Sequence, residues 1–373
     1  MKQIINYLFL ALLLSILSCA DATEEFKPSI FNADSLLREE VIFGNEAGLR
    51  PIFRCPSICI TNQNTLLVAC NNQQTWEDKD YIDILLARKE KGGEWHKQKI
   101  FESNNINGRG MGAIFLLDRA NNRIYLFFSK FLDKTKLGYD HSSDEIDVVY
   151  VYSDDDGQSW SEQISLKELW NTNNYTAIIS SASNGIVTKD GTFLVPTIVI
   201  KDHMMHSNLL IREENGKWRF SSYTPATWDS EATVYIDKEN KIILDCRNVN
   251  GVRNKYCYDI DNDSFTQIGG NVINSYIDIK AEIVQCEWDG KSFYLMSYPD
   301  TQTGTRENTS LFGSRDGTNW SFLYRLEEGF NGAGYSNVAY FQGRAIVVYE
   351  SLGVIKMIDF STIMDDVVLT LFD

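Results

Sequence analysis

Ser153-Asp154-Asp155-Asp156-Gly157-Gln158-Ser159-Trp160 reads S-x-D-x-G-x-S-W and closes the β-rich run Asp147–Ser153. The chemistry of such a box is local. Asp and Ser side chains satisfy the turn amides, Gly takes the positive φ, and the Trp packs beneath the hairpin. Ser314-Arg315-Asp316-Gly317-Thr318-Asn319-Trp320 is the same turn, one residue shorter. Lys91-Gly92-Gly93-Glu94-Trp95 and Asn215-Gly216-Lys217-Trp218 are degenerate relatives. One box marks a hairpin; four spaced copies mark a repeated β-unit. Short runs rich in β-formers recur around them, among them Thr65–Cys70, Ile82–Arg88, Arg123–Phe128, Thr192–Ile200, Lys241–Cys246 and Arg344–Tyr349. Helix signals are few, and Ser165–Trp170 reads as a short helix or a loop. The expected fold is therefore all-β, a propeller of four-stranded blades. At roughly 50–60 residues per blade, the chain beyond its leader fits six blades, with no appended domain.

The bulk composition agrees with a large soluble core. Of 373 residues, 43% are hydrophobic, and aromatics are frequent. The formal net charge is −16, which argues against sequence-independent nucleic-acid binding, since that rests on Lys and Arg neutralising phosphates. A local basic pocket can still sit in an acidic surface, so an anionic substrate stays open. No metal site is expected: the four histidines do not pair with cysteines at zinc spacing, and Asp202-His203-Met204-Met205-His206 reads as a surface loop. No cofactor is expected either.

Residues 1–19 read as a targeting segment. Lys2 is followed by Tyr7–Leu17, apolar apart from Ser15, and then by Ile16-Leu17-Ser18-Cys19. The run is short for a spanning helix of ~20 residues. The four-residue box resembles a lipoprotein cleavage site, which makes Cys19 the lipidated first residue; an ordinary secretory signal cut just past Cys19 is the alternative. Either way export is expected, with the protein lipid-anchored in the bacterial envelope, periplasmic or at the cell surface. Residues 20–44 read as a tether and lead-in, and 45–373 as the propeller. The cysteines at 55, 59, 70, 246, 257 and 286 permit disulfides, but their spacing is no known framework.

Arg54, Arg247 and Arg306 lie in unrelated local contexts, Phe53-Arg54-Cys55-Pro56, Asp245-Cys246-Arg247-Asn248 and Gly304-Thr305-Arg306-Glu307. Three guanidiniums brought to one point repel unless an anion lies between them, and their planar forks suit a carboxylate. These motifs, in this order, resemble those of the bacterial exo-sialidases with Asp-box repeats, from about residue 45 to the end. Phe53-Arg54-Cys55-Pro56 is similar to the family's Phe/Tyr-Arg-Ile-Pro. Asp78-Lys79-Asp80-Tyr81 resembles its acid/base loop, Ser230-Glu231-Ala232-Thr233-Val234 its Asn-Glu-x-x-Val, and Gly334-Tyr335-Ser336 its nucleophile motif.

The resemblance implies a six-bladed propeller acting as an exo-acting, retaining glycoside hydrolase. Tyr335 would be the nucleophile, Glu231 its base and Asp78 the acid/base. Arg54, Arg247 and Arg306 would hold the carboxylate of a terminal sialic acid. A phenol suits this role because it is neutral until it reacts, whereas a carboxylate nucleophile would be repelled by the sugar's own carboxylate. Competing readings remain for Asp78 (Glu77, Asp80, Asp83), Arg247 (Arg253) and Arg306 (Arg315). Two departures bear on the sugar. Asn71-Asn72-Gln73 stands where the family has Asp-x-Arg, and Gly110-Met111-Gly112-Ala113 where it often has Asn/Asp-Pro-Thr. Gln73 is expected to line the ring pocket, and Trp76 to stack there in place of the lost polar contacts. A related 2-keto-3-deoxy sugar acid is thus an alternative substrate, and a non-catalytic glycan-binding propeller an alternative class. The expected partners are sialylated glycans or such sugar acids, a membrane only through the lipid, and no second subunit. Cys19→Ser is expected to release the protein from the membrane fraction or to block its maturation; an unchanged soluble distribution on fractionation would rule out the anchor.

Overall fold

The computed structural model describes residues 37–136, 145–170, 175–213, 215–270, 277–302, 304–329 and 334–372. The leader and Cys19 lie outside them. Six antiparallel sheets are arranged in a ring. Blade 1 runs through β2 (Ile52–Ile60), β3 (Leu66–Gln73), β4 (Ile82–Lys89) and β5 (His96–Phe101). Blade 2 uses β6 (Arg109–Asp118), β7 (Arg123–Phe131), β8 (Ile146–Ser153) and β9 (Ile164–Ser165). In blade 3 the innermost strand is split into β10 (Ala177–Ser180) and β11 (Ile186–Val187), followed by β12 (Phe193–Lys201), β13 (Met204–Arg212) and β14 (Trp218–Tyr223). Blade 4 holds β15 (Asp229–Ile236), β16 (Ile242–Asn248), β17 (Asn254–Asp259) and β18 (Ser264–Gly269). Blade 5 holds β19 (Glu282–Trp288), β20 (Lys291–Pro299), β21 (Thr309–Ser314) and β22 (Ser321–Arg325). Blade 6 combines β23 (Ser336–Phe341), β24 (Arg344–Ser351) and β25 (Val354–Asp359) with β1 (Glu39–Phe43).

That last pairing moves one expected boundary. Residues 39–43 fall in the lead-in of the sequence reading, yet β1 lies antiparallel on β25, with Glu39 opposite Ile358 and Val41 opposite Lys356. Blade 6 would otherwise lack its outer strand and expose the β25 edge. The start of the chain therefore closes the ring against its end.

Each blade packs between two others, which explains why its middle strands are buried on both faces. Every residue of β2, β3 and β21 is buried, whereas β18 at an outer edge is almost wholly exposed. Apolar clusters fill the seams. One joins Leu67, Leu86, Phe115 and Leu126 across blades 1 and 2; another joins Ile58, Val68, Ile346 and Val348 across blades 6 and 1. Lys167–Trp170 forms a short helix, α1. A second helix, α2 (Met364–Phe372), was not expected; Met364, Val367, Val368 and Leu371 give it a buried stripe at helical spacing, packed on the seam of blades 5 and 6.

All four boxes occupy the same place, the turn from third to fourth strand of a blade. In the first, Ser153 Oγ accepts the Gly157 amide (2.8 Å), and Asp155 accepts that of Ser159 (2.9 Å). The extra residue, Asp156, reaches back to blade 1, where Arg88 Nη2 donates to it at 3.1 Å. Gly157 has φ 82°, and a Cβ there would sit 2.8 Å from the Leu67 side chain, so blade 1 also dictates this glycine. In the second box, Asp316 accepts the amides of Thr318 and Asn319, both at 2.8 Å, and Ser314 Oγ at 3.0 Å. Burial pushes its carboxyl up, but these hydrogen bonds outweigh it and hold the pKa at about 2. The stabilisation is complete above the ordinary carboxyl value and is lost as pH falls through about 2. Asp316→Ala is expected to cost ~1–2 kcal/mol at neutral pH, with the gap to wild type narrowing as the solution is acidified. Thermal melts of both forms across pH check this; equal melting temperatures at pH 7 would refute it.

Candidate active site

Inner strands bulge at one end of the ring. Register shifts fall between Arg54 and Ser57 in β2, Met111 and Ile114 in β6, and Asp229 and Ala232 in β15. A bulge bends a strand and re-aims a side chain, and two of these three carry Arg54 and Glu231. Tyr335 stands just before β23. Gly334 ahead of it has φ 71°, and a Cβ there would lie 3.3 Å from Arg306 Cβ, so only glycine lets these two backbones approach without strain.

The structure brings the three arginines to Tyr335. Arg247 Nη1 donates to the phenol oxygen at 2.9 Å. The guanidinium carbons of Arg54 and Arg306 lie 5.9 and 5.5 Å from its ring centre. The phenol itself donates to Glu231, 2.8 Å to Oε1 and 2.9 Å to Oε2. Arg247 Nη1 also donates to Glu231 Oε2 at 2.5 Å. Asp78, on the loop between β3 and β4, accepts from Arg54 Nη1 at 3.0 Å, and its side chain is 42% exposed. The rival arginines are elsewhere: Arg253 is buried and donates to Asp245 at 2.5 Å, and Arg315 is exposed beside Leu371.

Tyr335 is only 5% exposed. Burial and the Glu231 charge push its phenol well above the ordinary range, against the pull of Arg247 and Arg306. For Glu231, burial pushes the carboxyl up, but the Arg247 charge and the hydrogen bonds from Arg247 and Tyr335 outweigh it and hold it low. The resting pair is thus a protonated phenol donating to an ionised carboxylate.

Two acids at the site escaped the sequence reading. Glu350 of β24 is buried, accepts the Cys55 amide at 2.5 Å and stands 3.8 Å from Arg54 Nε. Asp278 accepts from Arg247 Nε, while its carbonyl accepts from Arg306 Nη2 at 3.0 Å. Both share one signal, an acid inside an apolar frame (Val348-Tyr349-Glu350 and Ile277-Asp278-Ile279), where a carboxylate needs a cationic partner.

Gln73 is corrected. Strand β3 runs on through Asn71-Asn72-Gln73, so all three are buried in blade 1. Gln73 does not face a pocket; its Nε2 donates to the Glu77 carbonyl at 3.1 Å and braces the acid loop from beneath. Asn71 Oδ1 instead accepts the Gly112 amide at 3.2 Å, joining the two departures from the family pattern across blades 1 and 2. Trp76 is 49% exposed at the rim, and its ring edge lies over Gly353. Its carbonyl accepts from Arg54 Nη1 at 3.0 Å. The described cysteines are all unpaired, most of them buried. His206 is buried against the Thr224 carbonyl, with His203 at the hairpin tip. A cavity of about 790 Å³ at the other end of the channel, lined among others by Asn184, Arg212 and Tyr340, shares no residue with this cluster.

With this geometry in hand, comparison with known proteins is informative. The family model of the BNR repeat-like domain matches residues 55–323. The chain belongs to that family. Its curated relatives include a sialidase of Paraclostridium sordellii, 25% identical, with 82% of this chain and 83% of the relative covered. A sialidase of Bacteroides fragilis is 24% identical, over 80% of this chain and 60% of that one. Among solved structures, Trypanosoma rangeli sialidase superposes with a TM-score of 0.78 at 17% identity, covering 90% of this chain and 61% of that one. The family member described here thus spans about three fifths of the Bacteroides and Trypanosoma proteins, and its six-bladed propeller shares the fold of the Trypanosoma rangeli sialidase.

Arg306→Ala is expected to weaken binding of a carboxylate sugar ligand about 30-fold or more, since removing one partner of a desolvated, hydrogen-bonded ion pair costs ~2–5 kcal/mol. Arg315→Ala is expected to bind as wild type does. Calorimetry on both variants checks this, and a loss below threefold for Arg306→Ala would remove it from the site.

Proposed function

We propose that this protein is an exo-acting, retaining sialidase that releases terminal sialic acid from glycoconjugates. The observation that carries the reading is the Tyr335 phenol donating to Glu231 within a cluster of three arginines. A module that only binds glycans has no use for a phenol coupled to a carboxylate base. The curated relatives called sialidases support the class of reaction.

The substrate carboxylate lies among Arg54, Arg247 and Arg306, fixing the anomeric carbon against Tyr335. The Tyr335 oxygen attacks that carbon as Glu231 takes the phenol proton. The bond to the leaving oxygen breaks, and Asp78 supplies the proton that oxygen needs. A glycosyl–tyrosine intermediate results. In the second half Asp78 takes a proton from water, the hydroxide attacks the same carbon, and the departing phenolate recovers its proton from Glu231. Two inversions give net retention. Arg247 bonds both Glu231 and the phenol oxygen, so it stabilises the charge whichever of the two carries it.

A second reading keeps this chemistry and changes the sugar. With Asn71, Asn72 and Gln73 buried inside blade 1, none of them offers the ring a contact, and a non-acetylated nonulosonate or an octulosonate becomes a substrate. Export and a lipid anchor at Cys19 fit an enzyme that meets glycans outside the cytoplasm. Tyr335→Phe removes only the nucleophilic oxygen and is expected to fold normally while losing at least about a hundredfold in turnover. A panel of aryl glycosides of 2-keto-3-deoxy acids, assayed with both forms, tests the class and ranks the sugars. Turnover unchanged by Tyr335→Phe would sink the mechanism, and no release from any member would return the protein to a binding role.

A further inference from the structure

Arg109, the first residue of β6, has no part in the mechanism above, yet it is a guanidinium with 0% exposure. It lies over the Phe131 ring, 4.6 Å from the ring centre. Burial pushes its pKa down to about 10, with Asp78 and then Asp133 the carboxylates that offset this, so it stays charged at neutral pH. Nη1 donates to two backbone carbonyls of one loop, Lys134 (2.9 Å) and Lys136 (2.6 Å). Nε and Nη2 find no hydrogen-bond partner among the described residues. A buried charge with two unsatisfied donors is destabilising relative to an apolar side chain of like volume. Its retention calls for a task other than stability.

The task can be read from the next link. The Lys134 carbonyl that accepts from Arg109 also accepts the Asp80 amide, at 2.6 Å. Asp80 follows Asp78 by two residues and has φ 71°, in the left-handed region that an aspartate tolerates in a turn. Lys134 grips the same loop a second time, its ammonium 3.3 Å from the centre of the Tyr81 ring. Arg54 holds the Trp76 carbonyl and the Asp78 carboxylate on the other side, and Gln73 holds the Glu77 carbonyl. The loop bearing Asp78 is thus suspended between blade 1 and residues 134–136 of blade 2, whose carbonyls at 134 and 136 Arg109 holds.

We propose that Arg109 is a positioning residue for the acid/base aspartate: through the Lys134 carbonyl it sets the Asp80 amide and hence where Asp78 stands. The proposal rests on the reading of Asp78 as general acid. A misplaced acid harms a poor leaving group far more than one that departs without a proton. Acid catalysis is worth about 10²–10⁴-fold where it is needed, which gives the test its contrast.

Wild type, Arg109→Met and Arg109→Lys are assayed on two sialosides, one with a sugar alcohol as leaving group and one with an acidic phenol. Arg109→Met is expected to lose about 10- to 100-fold in kcat on the sugar substrate, less than about threefold on the phenol, and little in KM on either. Arg109→Lys keeps the charge but loses the planar fork, and it is expected to fall between. Equal losses on both substrates, or none on either, would reduce Arg109 to a structural residue and overturn the proposal. Should Arg109→Met fail to fold, the Arg109→Lys ratio decides, and a wild-type ratio there overturns it. Wild type inactive on both substrates would overturn the sialidase reading itself, and this proposal with it.

Discussion

The pairing of β1 with β25 is the constraint on which the molecule rests. A sheet of four strands stacked between two others buries both faces only if the stack has no end, and closure into a ring removes the ends. Once closed, every blade turns its innermost strand toward the axis. Arg54 on blade 1, Glu231 and Arg247 on blade 4, Arg306 on blade 5 and Tyr335 on blade 6 then meet, although the chain separates them widely. The apolar seams supply the stiffness that a polar centre cannot supply for itself.

Packing three guanidiniums together is costly, and the structure offsets the cost from outside the cluster. Glu350 stands behind Arg54, while Glu231 and Asp278 flank Arg247. Burial alone would lower each arginine's pKa, yet Arg54 and Arg247 are held above their ordinary value because these carboxylates outweigh it. The two buried acids divide the work. Glu350 is pushed up by burial despite Arg54, accepts backbone amides and serves as a brace. Glu231 is held down by Arg247 and faces the phenol, which leaves it able to accept a proton. Local charge, rather than residue type, separates brace from base.

What the sequence disclosed follows the range of the forces involved. The boxes were legible because Ser153, Asp155, Gly157 and Ser159 satisfy one another within a single turn. Arg54, Glu231 and Tyr335 stood out because each sits in a framed motif, Phe-Arg-x-Pro, Glu-x-x-Val or Gly-Tyr-Ser. Glu350 and Asp278 have no such frame, since their partners come from other blades. β1 passed for a lead-in because its partner strand lies at the far end of the chain. Gln73 was misplaced for another reason: it inherited the pocket role of the family's Asp-x-Arg, while pairing with Ile82–Ile84 keeps Asn71–Gln73 buried inside blade 1.

Tyr335 and Asp78, the proposed nucleophile and acid, are supported in different ways. Tyr335 is locked by the sheet, because its carbonyl accepts the Glu350 amide at 2.9 Å, and it is buried among the seams. Asp78 rides on a half-exposed loop between β3 and β4. A general acid must reach a leaving group whose shape varies with the glycan, so a loop position has a use, but proton transfer tolerates little error in distance. The chain reconciles the two demands by tying the loop at its backbone and leaving the carboxylate at the surface. Arg54 grips the Trp76 carbonyl, Gln73 that of Glu77, and Lys134 the Asp80 amide. These ties come from both sides of the blade 1–blade 2 seam, so the closed ring that assembles the arginines also sets where the Asp78 carboxylate stands.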